Sequence, residues 1–130
     1  NFYTAVPAFQ KLKDDVERIV GTKGQLKGID GRVLPIRSSH AALNTLLQSA
    51  GAVIMKEACI IAHDEFKKNN LDVQQVAAVH DEYQLMCDPL HADTVGKIMV
   101  EAIRRAGASF GFRCPLDGEY RVGKNWAETH

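Results

Sequence analysis

Two adjacent carboxylates follow a histidine in the middle of a largely apolar stretch, and this is where the sequence most strongly indicates chemistry. His80, Asp81 and Glu82 separate two short runs, residues 76–79 and 83–87. Two such runs around a polar break predict a β-hairpin with the acids at its turn. Mg²⁺ prefers oxygen ligands but usually takes only one or two carboxylates, together with water and phosphate oxygens. The sequence therefore predicts part of a magnesium site, with Asp81 as the direct ligand and a further carboxylate from another strand. A merely solvated turn is the alternative, since Asp and Glu are common turn residues.

A second polar pattern crosses an otherwise apolar helix. His40, Asn44 and Gln48 are spaced by four residues and therefore share one helix face. Amides in apolar surroundings are costly unless they form hydrogen bonds. Their partners could be nearby backbone groups, or the minor groove of a nucleic-acid duplex, which presents acceptors at similar places in every base pair.

The elements that must position these side chains follow from periodicity and turn signals. The sequence predicts an amphipathic helix over residues 5–19, a tight hairpin turn at Asp30-Gly31, a long helix from Ser38 or Ser39 to about Asn69, a helix beginning at Asp88-Pro89, and a short strand near residues 120–122. The first half of the long helix is apolar nearly all round, so we expect it to be buried on most sides. Together these elements predict an α+β fold in which a small antiparallel sheet with a central acidic hairpin packs against long helices.

Composition limits the class of protein. With 130 residues, 45% of them hydrophobic, the chain is expected to form one globular unit. Sixteen basic and sixteen acidic residues give no net charge, so a polyanionic partner must be met by a local patch. Three cysteines, an odd number, favour reduced thiols and a cytoplasmic location. Lys56 and Glu57 interrupt the apolar run, so no membrane span is expected. The chain opens at Asn1, and we expect it to be part of something longer.

Four segments resemble a known family. Val79-His80-Asp81-Glu82 resembles the carboxylate motif of the DNA polymerase I family (family A DNA polymerases). The segment from Arg37 to Gln48 is similar to the helix that precedes that motif, most closely in the T-odd phage replicative branch. Asp30-Gly31-Arg32 and the closing residues 123–130 are also similar to members of this branch. The resemblance covers the whole chain.

This resemblance implies a function and a set of roles. The activity would be template-directed nucleotidyl transfer with two Mg²⁺ ions, on primer-template DNA and deoxynucleoside triphosphates. Asp81 would be a catalytic metal ligand, and Glu82 a supporting one. The expected DNA contacts are His80 at the primer terminus, Asn44, Gln48 and His40 at the minor groove, and Arg37 on a phosphate track.

The resemblance also implies what is missing. The family's other metal-binding aspartate and its nucleotide-binding helix lie upstream of the motifs found here. We therefore expect residues 1–20 to be the helix leaving the fingers, and residues 21–130 to be the carboxy-terminal part of the palm. Without the amino-terminal polymerase segment, the chain is predicted to be inactive and, because its hairpin edge is unpaired and its net charge zero, to self-associate. Two alternatives remain: a non-catalytic nucleic-acid-binding or assembly module, and an unrelated metal-dependent hydrolase that uses Asp117 or Glu119 with Asp81.

Overall fold

The structure is a computed structural model that describes residues 5–129. The elements in chain order are α1 (Pro7–Lys23), β1 (Gln25–Lys27), β2 (Val33–Pro35), a 3-10 turn (Ser39–Ala41), α2 (Ala42–Lys68), β3 (Val73–Val79), β4 (Glu82–Cys87), a second 3-10 turn (Pro89–His91), α3 (Ala92–Ser109) and α4 (Trp126–Thr129). The strands form two separate two-stranded antiparallel sheets, β1 with β2 and β3 with β4. The predicted small sheet is therefore two ribbons.

The chain divides into two compact units, residues 1–53 and 54–130. This boundary falls within α2. The expectation of one globular unit stays a prediction. The assignment of residues 1–20 to the fingers and 21–130 to the palm stays a prediction. Each unit has its own hydrophobic cluster.

In the first unit, α1 packs its apolar stripe against the first ribbon and the start of α2. Pro7 occupies the first turn of α1, where its missing N–H leaves no hydrogen bond unmade. Gly24 ends the helix with φ +65°, and its N–H donates to the carbonyl of Val20. The cluster of this unit consists of Val16, Val20, Leu26 and Ala42. The chain reverses at Asp30-Gly31 as predicted, but the turn is wider than a tight two-residue hairpin, because the last strand pair is Lys27 with Val33. Gly31 has φ +84° whereas Asp30 does not have a positive φ, and the Asp30 carboxylate accepts from the backbone N–H of Arg32.

In the second unit, the β3–β4 hairpin shares a hydrophobic cluster with α2 and α3. The buried members are Ile54, Ala58, Ala62 and Phe66 of α2 with Val95, Ala102 and Ala106 of α3. Two polar contacts join the same elements. The Cys59 thiol donates to Gln75 Oε1 on β3 at 2.9 Å, and Arg105 Nη1 on α3 lies 2.9 Å from Glu65 Oε1 on α2. The hairpin is therefore anchored on its helix-facing side.

Residues 111–125, here called the strap, run back along α3 without regular secondary structure. The Tyr120 ring occupies the space above Gly96, Leu116 lies over Gly107, and Arg104 pairs with Asp117 at 3.0 Å. The strand predicted near residues 120–122 is wrong, because the Tyr120 side chain packs on a helix and its segment pairs with no strand in the part of the chain that the structure describes.

Helix α2 is more exposed than its composition predicts. Leu47 is 54% exposed and Ile60 is 58% exposed. The expectation that the first half would be buried on most sides is wrong for the described residues, because α1 and a short ribbon are the elements of the first unit that they provide to cover it.

The stretch Ser39–Lys68 is also long and apolar enough to cross a membrane by length and composition, with a mean hydropathy of 1.3. The core helix of a soluble protein passes the same test, so the absence of a membrane partner stays a prediction.

Candidate metal and nucleic-acid site

The acidic tip is a two-residue hairpin turn. Val79 pairs with Glu82, which leaves His80 and Asp81 as the turn residues and confirms the predicted hairpin. His80 has φ +55°, in the left-handed region that histidine enters more readily than most non-glycine residues. Holding such a conformation costs of order 1–3 kcal/mol and is common at functional sites. The turn leaves Asp81 exposed at the end of the hairpin.

The two acids differ in their surroundings. The Asp81 side chain forms no hydrogen bond or ion pair with any residue between 5 and 129, whereas Glu82 is half-buried at the start of β4. Glu82 Oε1 accepts a hydrogen bond from Gln84 Nε2, and Gln84 Oε1 accepts one from Thr129 Oγ1 at 3.2 Å. Glu82 is therefore held in place by neighbours, while Asp81 is open to a ligand from solvent.

Strand alternation separates the acid from the core. Leu85 and Cys87 face the hydrophobic cluster of the second unit, so Tyr83 shares their side and Glu82 and Gln84 lie on the opposite, outer face. Burial raises the pKa of the Tyr83 hydroxyl, with a smaller contribution from the nearby Cys59 thiol. Burial likewise raises the pKa of the Cys87 thiol.

The donor set at the tip fits part of a Mg²⁺ site. Asp81 and Glu82 offer hard carboxylate oxygens of the kind that Mg²⁺ binds, but near-octahedral coordination needs more ligands than two neighbouring acids supply. Across residues 5–129 no group of three or more His, Cys, Asp or Glu side chains is placed to hold a metal ion. Any metal at this tip would need ligands from elsewhere, such as substrate phosphates, water or another polypeptide segment.

The structure does not support the alternative of a hydrolase site in which Asp117 and Asp81 bind a metal together. The backbone N–H of Gly118 and the Arg104 guanidinium hold the pKa of the Asp117 carboxyl below its usual value. Both Arg104 and Gly118 donate hydrogen bonds to the same oxygen, Oδ1 of Asp117. Asp117 therefore serves to fix the strap on α3.

The polar pattern of the long helix forms an exposed face. Asn44 and Gln48 of α2 are exposed, and Leu47 and Gly51 lie on the same side of the helix. His40 is also exposed but lies in the 3-10 turn before α2, because the helix begins only at Ala42. None of the three polar side chains forms a hydrogen bond with a described residue, so the backbone-bonded alternative is not found. A side chain at Gly51 would meet nothing within 4 Å. This face is open to a partner.

His40 and Asn44 also line a shallow groove of about 250 Å³ between α1 and the start of α2. Lys13 and Glu17 form its other side, with Lys13 Nζ 3.9 Å from Glu17 Oε1. Gln48 and Arg37 are exposed but do not line this groove. Of the four DNA contacts predicted on this part of the chain, the groove therefore brings together two, His40 and Asn44.

Sequence analysis missed two residues of the tip. From the sequence no role is assigned to Gln84 or to Thr129, which lie within the run 83–87 and the closing segment 123–130. The signal for Gln84 is its i+2 spacing from Glu82, which places both side chains on one strand face. No local signal relates Thr129 to residue 84, because 45 positions separate them.

The sequence model of DNA polymerase family A matches residues 1–128. The DNA-directed DNA polymerase of Enterobacteria phage T3 is 36% identical over 150 residues, which cover 99% of this chain and 21% of that polymerase. The DNA-directed DNA polymerase of Escherichia phage T7 is 34% identical, with the same coverage. DNA polymerase I of Aquifex aeolicus is 26% identical over 129 residues, covering 98% of this chain and 22% of that protein.

The fold has a solved counterpart. The POL domain of Pol1 from M. smegmatis, solved in complex with DNA primer-template and dNTP, superposes with a TM-score of 0.73 at 20% identity, covering 81% of this chain and 21% of that chain. This likeness confirms the predicted α+β polymerase-type fold. The chain spans about a fifth of the length of the phage polymerases it matches. Since the family model covers nearly every residue, the chain belongs to DNA polymerase family A.

Proposed function

We propose that this chain is the carboxy-terminal part of the palm of a DNA-directed DNA polymerase of the phage type, which extends a primer 3′ end with deoxynucleotides. The observation that carries the proposal is the exposed carboxylate of Asp81 on a strained hairpin turn, in a chain that matches family A throughout. The phage T3 and T7 relatives are named as DNA-directed DNA polymerases. The three free cysteines suit a reducing host cytoplasm, where we propose that it acts.

In this proposal Asp81 and Glu82 hold the divalent cations of the complete enzyme. Two Mg²⁺ ions, when bound, would stabilise the charge that develops on the attacking 3′ oxygen and on the leaving pyrophosphate. Asp81 extends from the hairpin end, where its oxygens can meet an incoming phosphate group. Glu82 supplies a second carboxylate whose direction is fixed by Gln84.

The exposed face of α2 is proposed as the duplex contact. Asn44 and Gln48 can donate amide hydrogens to the minor-groove acceptors common to all base pairs, so this contact would test pairing geometry and leave sequence unread. His40, in the 3-10 turn before α2, is proposed to meet the minor groove as well, Arg37 a phosphate, and His80 the primer terminus. These roles follow from exposure and from the family resemblance.

The test joins this chain to the polymerase segment that precedes the aligned region in the phage T3 enzyme, and measures primer extension with Mg²⁺. We expect the fusion to incorporate nucleotides, and Asp81→Asn to lower kcat by at least about 100-fold, because preorganised charge at the reacting centre is removed. Asp81 is exposed and forms no hydrogen bond or ion pair with a described residue, so we expect the substitution to leave folding intact.

Asp72→Asn is the matched control, since Asp72 is also an exposed acid beside this hairpin but lies at its opposite end. Its activity should equal that of the unsubstituted fusion. An Asp81→Asn fusion within threefold of the unsubstituted rate would refute the role of Asp81. The 130-residue chain alone should incorporate nothing, and incorporation by it would overturn the view that the site is incomplete.

The DNA-binding face has a separate measurement. Asn44→Ala and Gln48→Ala in the fusion should each weaken primer-template binding by about two- to tenfold, the value of one hydrogen bond. Gln74→Ala, at an exposed amide on β3, serves as control. Unchanged affinity in both helix variants would remove α2 from the proposed interface.

A further inference from the structure

We propose that Gln84 and Thr129 are positioning residues for the Glu82 carboxylate, so that the terminal helix α4 forms part of the metal site. The inference rests on the proposed function, in which Glu82 helps to hold a divalent cation. It assigns roles to two residues that the carboxylate motif does not include.

The first step is the shared face of β4. Glu82 and Gln84 are two residues apart on a strand, so both side chains lie on the outer face of the hairpin. The register confirms it: Glu82 pairs with Val79, and Gln84 pairs with Ala77 after a bulge at Val76. Both side chains are half-buried, so water competes only partly for their hydrogen bonds.

The second step is the fixed direction of the Gln84 amide. An ionised carboxylate can only accept hydrogen bonds, so the amide NH₂ must face Glu82 and the amide oxygen must face away. The oxygen lies 3.2 Å from Thr129 Oγ1, whose hydroxyl donates to it. The same hydroxyl is 3.1 Å from the carbonyl of Trp126, so one proton serves two acceptors on this side. A carboxylate, an amide and a hydroxyl therefore form a directed chain.

The third step is the anchoring of α4. A four-residue helix has almost no stability of its own, so other contacts must hold it. Glu128 Oε2 accepts from the backbone N–H of Lys124 at 2.8 Å, and its Oε1 accepts from Asn125 Nδ2 at 3.0 Å. Asn125 Oδ1 in turn accepts from the Glu128 N–H. These bonds close the end of the strap on itself and present Thr129 to the hairpin.

The consequence concerns the metal site. Residues that orient a ligating carboxylate typically contribute 10- to 100-fold to metal affinity or activity, because they set the direction of the ligand. Loss of the Gln84 amide removes one of the hydrogen bonds that orient the Glu82 carboxylate. The requirement for divalent cation should then rise, while the binding of nucleotide base and DNA is untouched.

The first measurement uses the 130-residue chain and Mn²⁺, whose binding is followed by electron paramagnetic resonance. Gln84→Met keeps the length of the side chain and removes its amide, and we expect it to weaken Mn²⁺ binding by about tenfold. Thr129→Val should weaken binding in the same direction by less, and Thr129→Ser should restore it. Gln74→Met is the control, because Gln74 is an exposed amide on the same hairpin face that forms no hydrogen bond with a described residue.

The second measurement uses the fusion with the phage T3 segment and compares the Mg²⁺ concentration for half-maximal extension with KM for the nucleotide. Gln84→Met should raise the first by about tenfold and leave the second unchanged. A merely structural role would lower the amount of active enzyme without changing its Mg²⁺ requirement.

The outcomes separate this inference from the proposed function. Equal Mn²⁺ binding in the unsubstituted chain and Gln84→Met, an equal loss in Gln74→Met, or no Mn²⁺ binding at millimolar concentration would each overturn the positioning role. An inactive unsubstituted fusion counts against the proposed polymerase function, and the Mn²⁺ titration still decides the role of Gln84. Failure of Thr129→Ser to restore binding lost in Thr129→Val would remove α4 from the site.

Discussion

Gly96 provides a sharp test of how the strap is held on α3. It lies inside α3 and is buried, and the Tyr120 ring occupies the space that a side chain would need. A Cβ built at Gly96 would overlap Tyr120 Cδ2 and Cγ. Real contacts of this kind do not occur below about 3.0 Å, so Gly96→Ala must displace the ring.

The sign of the effect follows from two opposing terms. Replacing glycine by alanine within a helix stabilises it by about 1 kcal/mol. Forcing extra volume into a packed contact costs about 1–3 kcal/mol, and a conflict with three ring atoms places Gly96→Ala near the upper end. We therefore expect Gly96→Ala to lower the free energy of unfolding by about 2 kcal/mol.

Gly51→Ala is the matched control, because Gly51 is also within a helix but a Cβ there meets nothing within 4 Å. It should raise the free energy of unfolding by about 1 kcal/mol. Urea unfolding of the 130-residue chain, followed by circular dichroism, measures both variants. In a Tyr120→Ala background the conflict is gone, and Gly96→Ala should become stabilising like the control. Stabilisation by Gly96→Ala with Tyr120 present would refute the proposed packing of the strap.

Three further predictions concern the hairpin and the helix contacts. His80→Gly should raise the free energy of unfolding by up to about 1 kcal/mol, because glycine adopts the φ of +55° without strain. The same substitution should slow primer extension by the fusion. A lower free energy of unfolding in urea would contradict the first expectation. The hydrogen bond from Arg105, and next the charge of Lys68, lower the pKa of Glu65 from 4.5. The native chain should therefore be more stable than Glu65→Gln above pH 4.5, and this difference in the free energy of unfolding should disappear as the pH falls through the lowered pKa. A difference that does not change with pH would exclude this cause. The isolated chain should sediment as a dimer at high concentration and Val76→Lys as a monomer, because Val76 is a 60% exposed bulge residue on a hairpin that pairs with no further strand among residues 5–129. A monomeric native chain would count against edge pairing.

The regular parts of this fold were predictable where the local signal and the tertiary environment agree. The hairpin turn at residues 80–81 follows from two short runs around polar residues, and α1 follows from apolar spacing with Pro7 in its first turn. The start of the long helix is an instructive difference. Ser38 and Ser39 were expected as caps, but neither side chain caps α2, and a 3-10 turn over Ser39–Ala41 precedes it.

The strap shows why other parts were not predictable. Tyr120 and its neighbours have strand-like composition, but β-propensity reflects packing more than backbone preference. The small residues Gly96 and Gly107 of α3 create the space in which Tyr120 and Leu116 pack. That information lies in another element, and local sequence around residue 120 does not contain it. The same holds for Thr129, whose partner Gln84 belongs to the hairpin.

The two neighbouring acids differ in their hydrogen bonding, and this difference bears on function. If the turn were only a solvated connection, it would not matter whether the side chain of residue 81 or that of residue 82 formed hydrogen bonds. The hydrogen-bonded series Glu82, Gln84 and Thr129 on the outer face would then have no purpose. Instead Asp81 is open at the tip, whereas Glu82 is bound by Gln84, which is bound by the terminal helix. A carboxylate that must contact a substrate whose position changes benefits from a side chain that can rotate. A carboxylate that must keep a cation in one position benefits from a side chain that is held by hydrogen bonds. Removing the Gln84 hydrogen bond to Glu82 with Gln84→Met should therefore change the requirement for divalent cation more than Asp72→Asn, which removes a charge at the other end of the hairpin.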